Sequence, residues 1–289
     1  MEQLQQGVRR LVAPNPSPMT YRGTCSYVIG TGEVAVIDPG PNDPKHLGAI
    51  VDGLGPERIS HILVTHAHLD HSPGARALSE ATGAPVYAFG PPDAGRSAIM
   101  TELAARGVAG GGEGVDHAFA PDRLLGDGEV LSHGDWALTA LHTPGHFCNH
   151  LSFAFDDSVL SGDVIMGWSS TLISPPDGDL RDYYASLARI ESLAPRILYP
   201  GHGAPVLDPR ALIAEQRAHR ETRSAQILAA LRAGAATPAS LTSQIYRDLA
   251  PPLHGAAQRN IFAHLIELTQ QNKIQPASTL APTSEFSLR

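Results

Sequence analysis

Residues 65–74 read THAHLDHSPG, with three histidines and one aspartate inside six positions directly behind the apolar run Ile62, Leu63, Val64. Two readings are open: a polar turn rich in histidine, or a set of ligands held open for metal. The rest of the chain decides between them.

Ligand-type residues recur behind other apolar runs: His146 follows ALTALHTPG, Asp163 follows SVLSG and His202 follows RILYPG. Strands of a sheet end on a common edge, so loops leaving those ends converge although the residues lie far apart in sequence. In an extended segment residues i and i+2 project to one side, which pairs His66 with His68. A turn at Leu69 then sends Asp70 and His71 towards a second centre. Imidazole nitrogens and carboxylate oxygens bind zinc at about 2.0–2.2 Å, so His66, His68 and His146 with Asp163 make one site. Asp70, His71 and His202, sharing Asp163, make another. A histidine taken singly is ordinarily a surface or hydrogen-bonded residue; the clustering carries the metal reading.

The 289 residues suffice for one large domain, or one domain and a smaller appendage. Only two cysteines occur, Cys25 and Cys148, far apart and in no paired-spacing motif, so neither a disulfide scaffold nor a zinc-finger framework is suggested, and a reducing, cytoplasmic location is expected. No run approaches the roughly 18 apolar residues of a membrane span, so a soluble protein is expected. A net charge of -8 lacks the footprint of a protein that grips nucleic acid by charge. Stable DNA binding is not expected, and the oligomeric state is left open.

TCSYVIG and EVAVID flank Gly30, Thr31 and Gly32, which reads as a hairpin. Helical spacing over 44–54, a buried strand over 59–66, a helix over 74–81 and the strand PVYAF follow. Residues 90–120 read as a loose, partly helical excursion. Three β runs, GEVLSHG, WALTALHT and LSFAFDDSVLSGD, the last turning at Asp156 and Asp157, lead to a helix at 180–193 capped by Asp179 and the strand RILYP. The fold class is α/β with mixed sheets. Past Asp208 and Pro209 come one long amphipathic helix and two more, LTSQIYRDLA and AAQRNIFAHLIELTQQNKI. The expected division is 1–208, a helical module of winged-helix size at 209–280, and a disordered Ser/Thr/Pro-rich tail at 281–289.

THAHLDH, TPGH, LSGD and PGHG, in this order, resemble the HxHxDH, His, Asp, His series of the metallo-β-lactamase superfamily over residues 20 to 208. GTCSYVIG, IDPGP, MGWSS, PPDGDLRDYYASL, AHRETR and the final helices are similar to the lactamase-beta-2-like subgroup, which has a C-terminal winged-helix-like domain. The resemblance implies a four-layer αββα sandwich and two Zn²⁺ per chain, with iron or manganese less favoured. One zinc would take His66, His68 and His146, the other Asp70, His71 and His202, with Asp163 bridging and Asp70 the catalytic residue. It also implies a metal-dependent hydrolase acting on a small molecule or on single-stranded RNA, since relatives include an endoribonuclease and thioester-cleaving enzymes. Iron-dependent persulfide or oxygen chemistry and a nonenzymatic nucleic-acid module are the competing classes.

Metal lowers the pKa of a bound water from 15.7 towards about 7, so a metal-bridging hydroxide acting on an ester, thioester, lactone or phosphodiester is the expected chemistry. Two dications against Asp70, Asp163 and hydroxide leave a local positive charge that attracts anionic or polar substrates. Asp38 is a candidate hydrogen-bond partner behind a ligand, or a turn-starting residue. His150 is expected to be structural, with contact to a leaving group or a ligand as the alternative. His142 is expected to be packed and Cys148 a buried, unreactive thiol. Trp168, Ser169, Ser170 and Thr171 are placed in a loop where they either border the substrate or form a packed Trp with solvated hydroxyls. Arg217, Arg220 and Arg223 read as a solvated helix face, with phosphate contact the weaker alternative. Phe147, where the family usually has a small hydroxyl, and Cys25, where asparagine is common, are expected to reshape the pocket.

Overall fold

The computed structural model describes residues 1–110 and 114–289. Its first sheet runs β1 (Glu2–Gln5), β2 (Val8–Val12), β3 (Cys25–Ile29), β4 (Glu33–Ile37), β5 (Arg58–Leu63), β6 (Val86–Ala88) and β7 (Arg123–Leu124), paired in that order. β3 and β4 form the expected hairpin. The chain then crosses over through α1 (Pro44–Leu54), so that β4 and β5 pair in parallel. Asp43 starts α1 by accepting from Lys45 N at 2.9 Å, and Leu47, Ile50 and Leu54 fall on its buried face. α2 (Gly74–Thr82) follows the histidine cluster.

The second sheet orders β8 (Val130–His133), β9 (Trp136–His142), β10 (Leu151–Phe155), β11 (Ser158–Gly162) and β12 (Ile197–Pro200) as β12-β11-β10-β9-β8. β10 and β11 turn at Asp156 and Asp157, with Ser158 paired to Phe155. Between 90 and 120 the described part includes α3 (Ala98–Ala105); residues 111–113 of that expected excursion lie outside the described residues.

Period-two alternation sorts the strands into layers. Val28, Val34, Val36 and Ile62 face α1 and α2, whereas Tyr27, Ile29, Ile37 and Leu63 face the other sheet and meet Leu138, Leu151, Phe153 and Leu160. Val159 and Leu198 look outward to α4 (Leu180–Ser192) and to Ile213 of α5 (Pro209–Leu231). Helices therefore cover both outer faces of two packed sheets, the expected αββα order.

α5 leads into α6 (Pro238–Ile245) and α7 (His254–Gln270). The helix expected over 241–250 starts earlier, because Pro238 sits in the first turn behind the Thr237 cap, and it stops at Ile245, where Tyr246 leaves the helical conformation (φ −109°, ψ 62°). Ile227, Leu241, Phe262 and Leu265 make a third core, which also takes Met100 and Leu103 of α3.

The disordered tail expected at 281–289 is corrected. β13 (Ile274–Pro276) pairs with β14 (Phe286–Leu288), and Phe286 exchanges both backbone hydrogen bonds with Ala236. The Ser/Thr/Pro composition conceals one large apolar anchor, the Phe286 ring, which is fully buried in the helical core. The N-terminal strands β1 and β2 and the edge strand β7 are further elements that the sequence patterning does not announce. No helix among the described residues is long and apolar enough to cross a membrane.

Candidate metal centre and its cavity

The C-terminal ends of four strands deliver the cluster. The segment after β5 carries His66, His68, Asp70 and His71; His146 follows β9, Asp163 follows β11 and His202 follows β12. All seven side chains are buried. Three groups, His66/His68/His146, His66/His71/Asp163 and Asp70/His71/His202, each place their ligand atoms within 4.8 Å of one another, close enough to hold a metal ion.

The ring nitrogens face each other. His66 Nε2 and His68 Nδ1 are 2.9 Å apart, His146 Nε2 lies 3.1 Å from His68 Nδ1, and His71 Nε2 lies 3.2 Å from His202 Nε2. Asp163 spans the halves, 3.2 Å from His202 Nε2 and 3.8 Å from His146 Nε2 through Oδ2. Asp70 Oδ2 contacts His71 Nε2 at 3.2 Å and His202 Nε2 at 3.1 Å. Oδ1 of Asp70 and Oδ1 of Asp163 are buried with no hydrogen-bond partner among the described residues.

Four of the five imidazoles, those of His66, His71, His146 and His202, are held from behind. Asp38 accepts from Thr65 N and Thr65 Oγ1, both at 2.7 Å, and from His71 Nδ1 at 2.9 Å; Thr65 Oγ1 is 2.9 Å from His66 Nδ1. His146 Nδ1 meets Leu172 O at 2.9 Å and Thr171 Oγ1 at 2.8 Å, and His202 Nδ1 meets Gly23 O at 3.2 Å. Such partners fix tautomer and ring orientation.

Burial pushes the His66 and His146 imidazoles below the ordinary value and His68 down to about 3. Burial also opposes charge on His202, but Asp163 and Asp70 outweigh it and raise that ring to about 10; carboxylates raise His71 likewise. The same histidines overcome the burial of Asp70 and Asp163 and hold both carboxyls well below the usual range.

A cavity of about 320 Å³ opens on the cluster. His68, Asp70, His146, Asp163 and His202 line one part; Met19, Met166, Trp168, Leu172, Leu249, Leu253 and Ala257 give it apolar walls. α5 and α7 add His219, Arg220 and Asn260.

The other candidates separate cleanly. Trp168 borders the cavity, stacked on Tyr21 at 5.1 Å. His150 sits behind the cluster, accepting from Asp163 N at 3.1 Å through Nε2, with Nδ1 3.0 Å from Thr143 Oγ1. His142 stacks on Phe89, and burial raises the Cys148 thiol to about 12. Phe147 and Cys25 do not line the cavity: the Phe147 ring packs edge-on against His68 at 4.6 Å, and Cys25 Sγ points at Gly203 O.

The solvated face expected of the three arginines fails at Arg220, which is 1% exposed. Its guanidinium bonds Thr171 O and Asn260 Oδ1, and Asn260 Oδ1 also accepts from Ile173 N at 3.0 Å. Arg217 pairs with Glu191 at the surface. Sequence reasoning misses the roles of Arg220, Thr171 and Asn260, yet a signal exists: Arg220 stands seven residues from both Ile213 and Ile227, on the buried stripe of α5.

Known proteins share this organisation. A model of the metallo-beta-lactamase superfamily matches residues 20–202, and one of the beta-lactamase associated winged helix domain matches 237–279. The chain is 30% identical over 267 residues to an atrochrysone carboxyl ACP thioesterase of Aspergillus fumigatus, covering 85% of this chain and 75% of that protein. It is 30% identical over 284 residues to a beta-lactamase-like protein 2 homolog of Drosophila melanogaster, covering 94% and 91%. A solved metallo-beta-lactamase family protein from Thermus thermophilus superposes with a TM-score of 0.79 at 25% identity, over 99% of this chain and 100% of that one.

Proposed function

The chain belongs to the metallo-beta-lactamase superfamily, carries its associated winged-helix domain and is a metal-dependent hydrolase, and on that premise we propose that it cleaves an acyl thioester, ester or lactone with two zinc ions. The observation that carries the proposal is the seven-residue cluster at the foot of an apolar cavity, with one buried oxygen of Asp70 and one of Asp163 lacking a hydrogen-bond partner among the described residues. Those oxygens and the facing ring nitrogens suit a pair of dications: His66, His68 and His146 would hold one, Asp70, His71 and His202 the other, with Asp163 between them. Bound there, the metals supply Lewis acidity and a water of lowered pKa.

The protein's own groups do the positioning. Asp38, Thr65, Thr171 and the carbonyls of Gly23 and Leu172 keep the rings aimed inward, and His150 anchors the Asp163 backbone. Asp70 stays ionised beside His71 and His202, so that it would offer a carboxylate to the metal and, from the cavity wall, an acceptor to a water bound there. The apolar walls favour an acyl group over a polyanion, and a relative named as a thioesterase supports the same choice. Single-stranded RNA is disfavoured by the charge of -8.

Metal analysis of the purified protein, followed by a panel of thioesters, esters, lactones and single-stranded RNA, tests the proposal. Zinc at two per chain with acyl turnover is expected, and His68→Ala removes both turnover and part of the metal. Cleavage of RNA alone, turnover retained in His68→Ala, or iron with oxygen consumption overturns it.

A further inference from the structure

Arg220 is a buried cation without a counter-anion among the described residues. The residue is among those lining the cavity, its buried Nε has no hydrogen-bond partner among the described residues, and no described carboxylate pairs with it; its bonds run to the neutral oxygens of Thr171 and Asn260. An unpaired buried charge is costly, and a guanidinium carries five donors, so this one retains unused capacity. The carboxylates that line the cavity, Asp70 and Asp163, belong to the histidine cluster. Around Arg220 the walls are neutral or basic: Tyr183 lies under its guanidinium at 5.6 Å, and Arg223 stacks on cavity-lining Tyr246 at 4.0 Å. Burial, with Arg220 and Arg223 next, lowers His219 and His264, which places positive potential in this region.

We propose that Arg220 forms a subsite for a carboxylate on the acyl part of the substrate, separate from the bond that is cleaved. This rests on the acyl-hydrolase reading above and narrows it to acyl groups carrying a second, ionised carboxyl. One residue stands between Arg220 and the cluster: Arg220 bonds Thr171 O, and Thr171 Oγ1 touches His146, while Arg220 itself bonds none of the seven cluster residues in any described contact. A single carboxylate matches a single cation in an apolar cavity, whereas a phosphate dianion would leave one charge buried and unmatched.

Two measurements test it. In the first, the metal-loaded protein is given matched thioesters that differ only by a terminal carboxylate on the acyl chain. Wild type is expected to prefer the carboxylate form through KM, and Arg220→Gln to lose about tenfold of that preference, with Arg220→Lys keeping part of it. Equal losses on both substrates would make Arg220 only a wall support and overturn the subsite. The second measurement needs no turnover: thermal shifts of the wild type with a series of straight-chain dicarboxylates and matched monocarboxylates. A larger shift for some dicarboxylate supports the subsite even if no thioester is cleaved, in which case only the acyl-hydrolase reading falls. Dicarboxylates no better than monocarboxylates overturn the subsite whether or not Arg220→Gln folds.

Discussion

Asp38 Oδ2 lies 2.9 Å from His71 Nδ1 and 2.7 Å from Thr65 Oγ1, so one buried carboxylate steadies the rings of His71 directly and of His66 through Thr65. The two rings belong to different halves of the proposed centre. Asp38→Ala is expected to weaken metal binding about 10- to 100-fold, measured by chelator competition. Unchanged affinity would reduce Asp38 to a turn residue.

Gly201 is fixed by proximity. A Cβ there would stand 2.2 Å from Asp163 Oδ1 and 2.9 Å from His71 Cε1. Gly201→Ala is expected to displace Asp163 and lower the bound metal while the far-ultraviolet circular dichroism keeps its native shape. Full metal loading in the variant would contradict the bridging position proposed for Asp163.

His150→Phe removes the acceptor for Asp163 N, leaving a buried donor unsatisfied at a cost of about 1–3 kcal/mol. A lower denaturant midpoint in metal-free protein is the expected readout. If only turnover fell, with stability intact, His150 would have to act on substrate.

Phe286→Ala tests the tail. Truncating this fully buried ring in the helical core is expected to cost about 3–5 kcal/mol, read by denaturant titration. A disordered tail predicts no change.

Asp182 gives a pH signature. Burial first, and Asp179 next, raise its carboxyl to about 6. The folded state therefore holds a proton that the unfolded chain releases near about 3.9, and this residue costs stability as pH climbs through that interval. The Tm difference between Asp182→Asn and wild type is expected to become more positive from pH about 4 to neutrality. A difference independent of pH would refute the shift.

The sandwich is legible because its strands advertise themselves: each apolar run stops and a histidine or aspartate follows, so fold and cluster share one signal. His68, His146 and His202 can be named without coordinates because strand ends converge. Arg220 escapes a reading that weighs charge over position on the helix stripe, although Ile213 and Ile227 mark its face as buried. Phe286 is lost to the composition around it, since a single ring can anchor a strand that its neighbours disguise. Asn260 carries no local signal; its role exists only once α7 packs against the 171–173 segment.

The cavity draws its ligand-type lining from residues 68–202, whereas His219, Arg220, Tyr246, Leu253 and Asn260 come from the chain that follows. The cluster thus comes from one stretch of sequence, whereas the walls of the cavity are shared between that stretch and the helices that follow. Exchange of the segment from α5 onward between relatives would alter which molecules fit while sparing the strand ends. One catalytic design can in this way diversify by drift in a region that supplies none of the cluster.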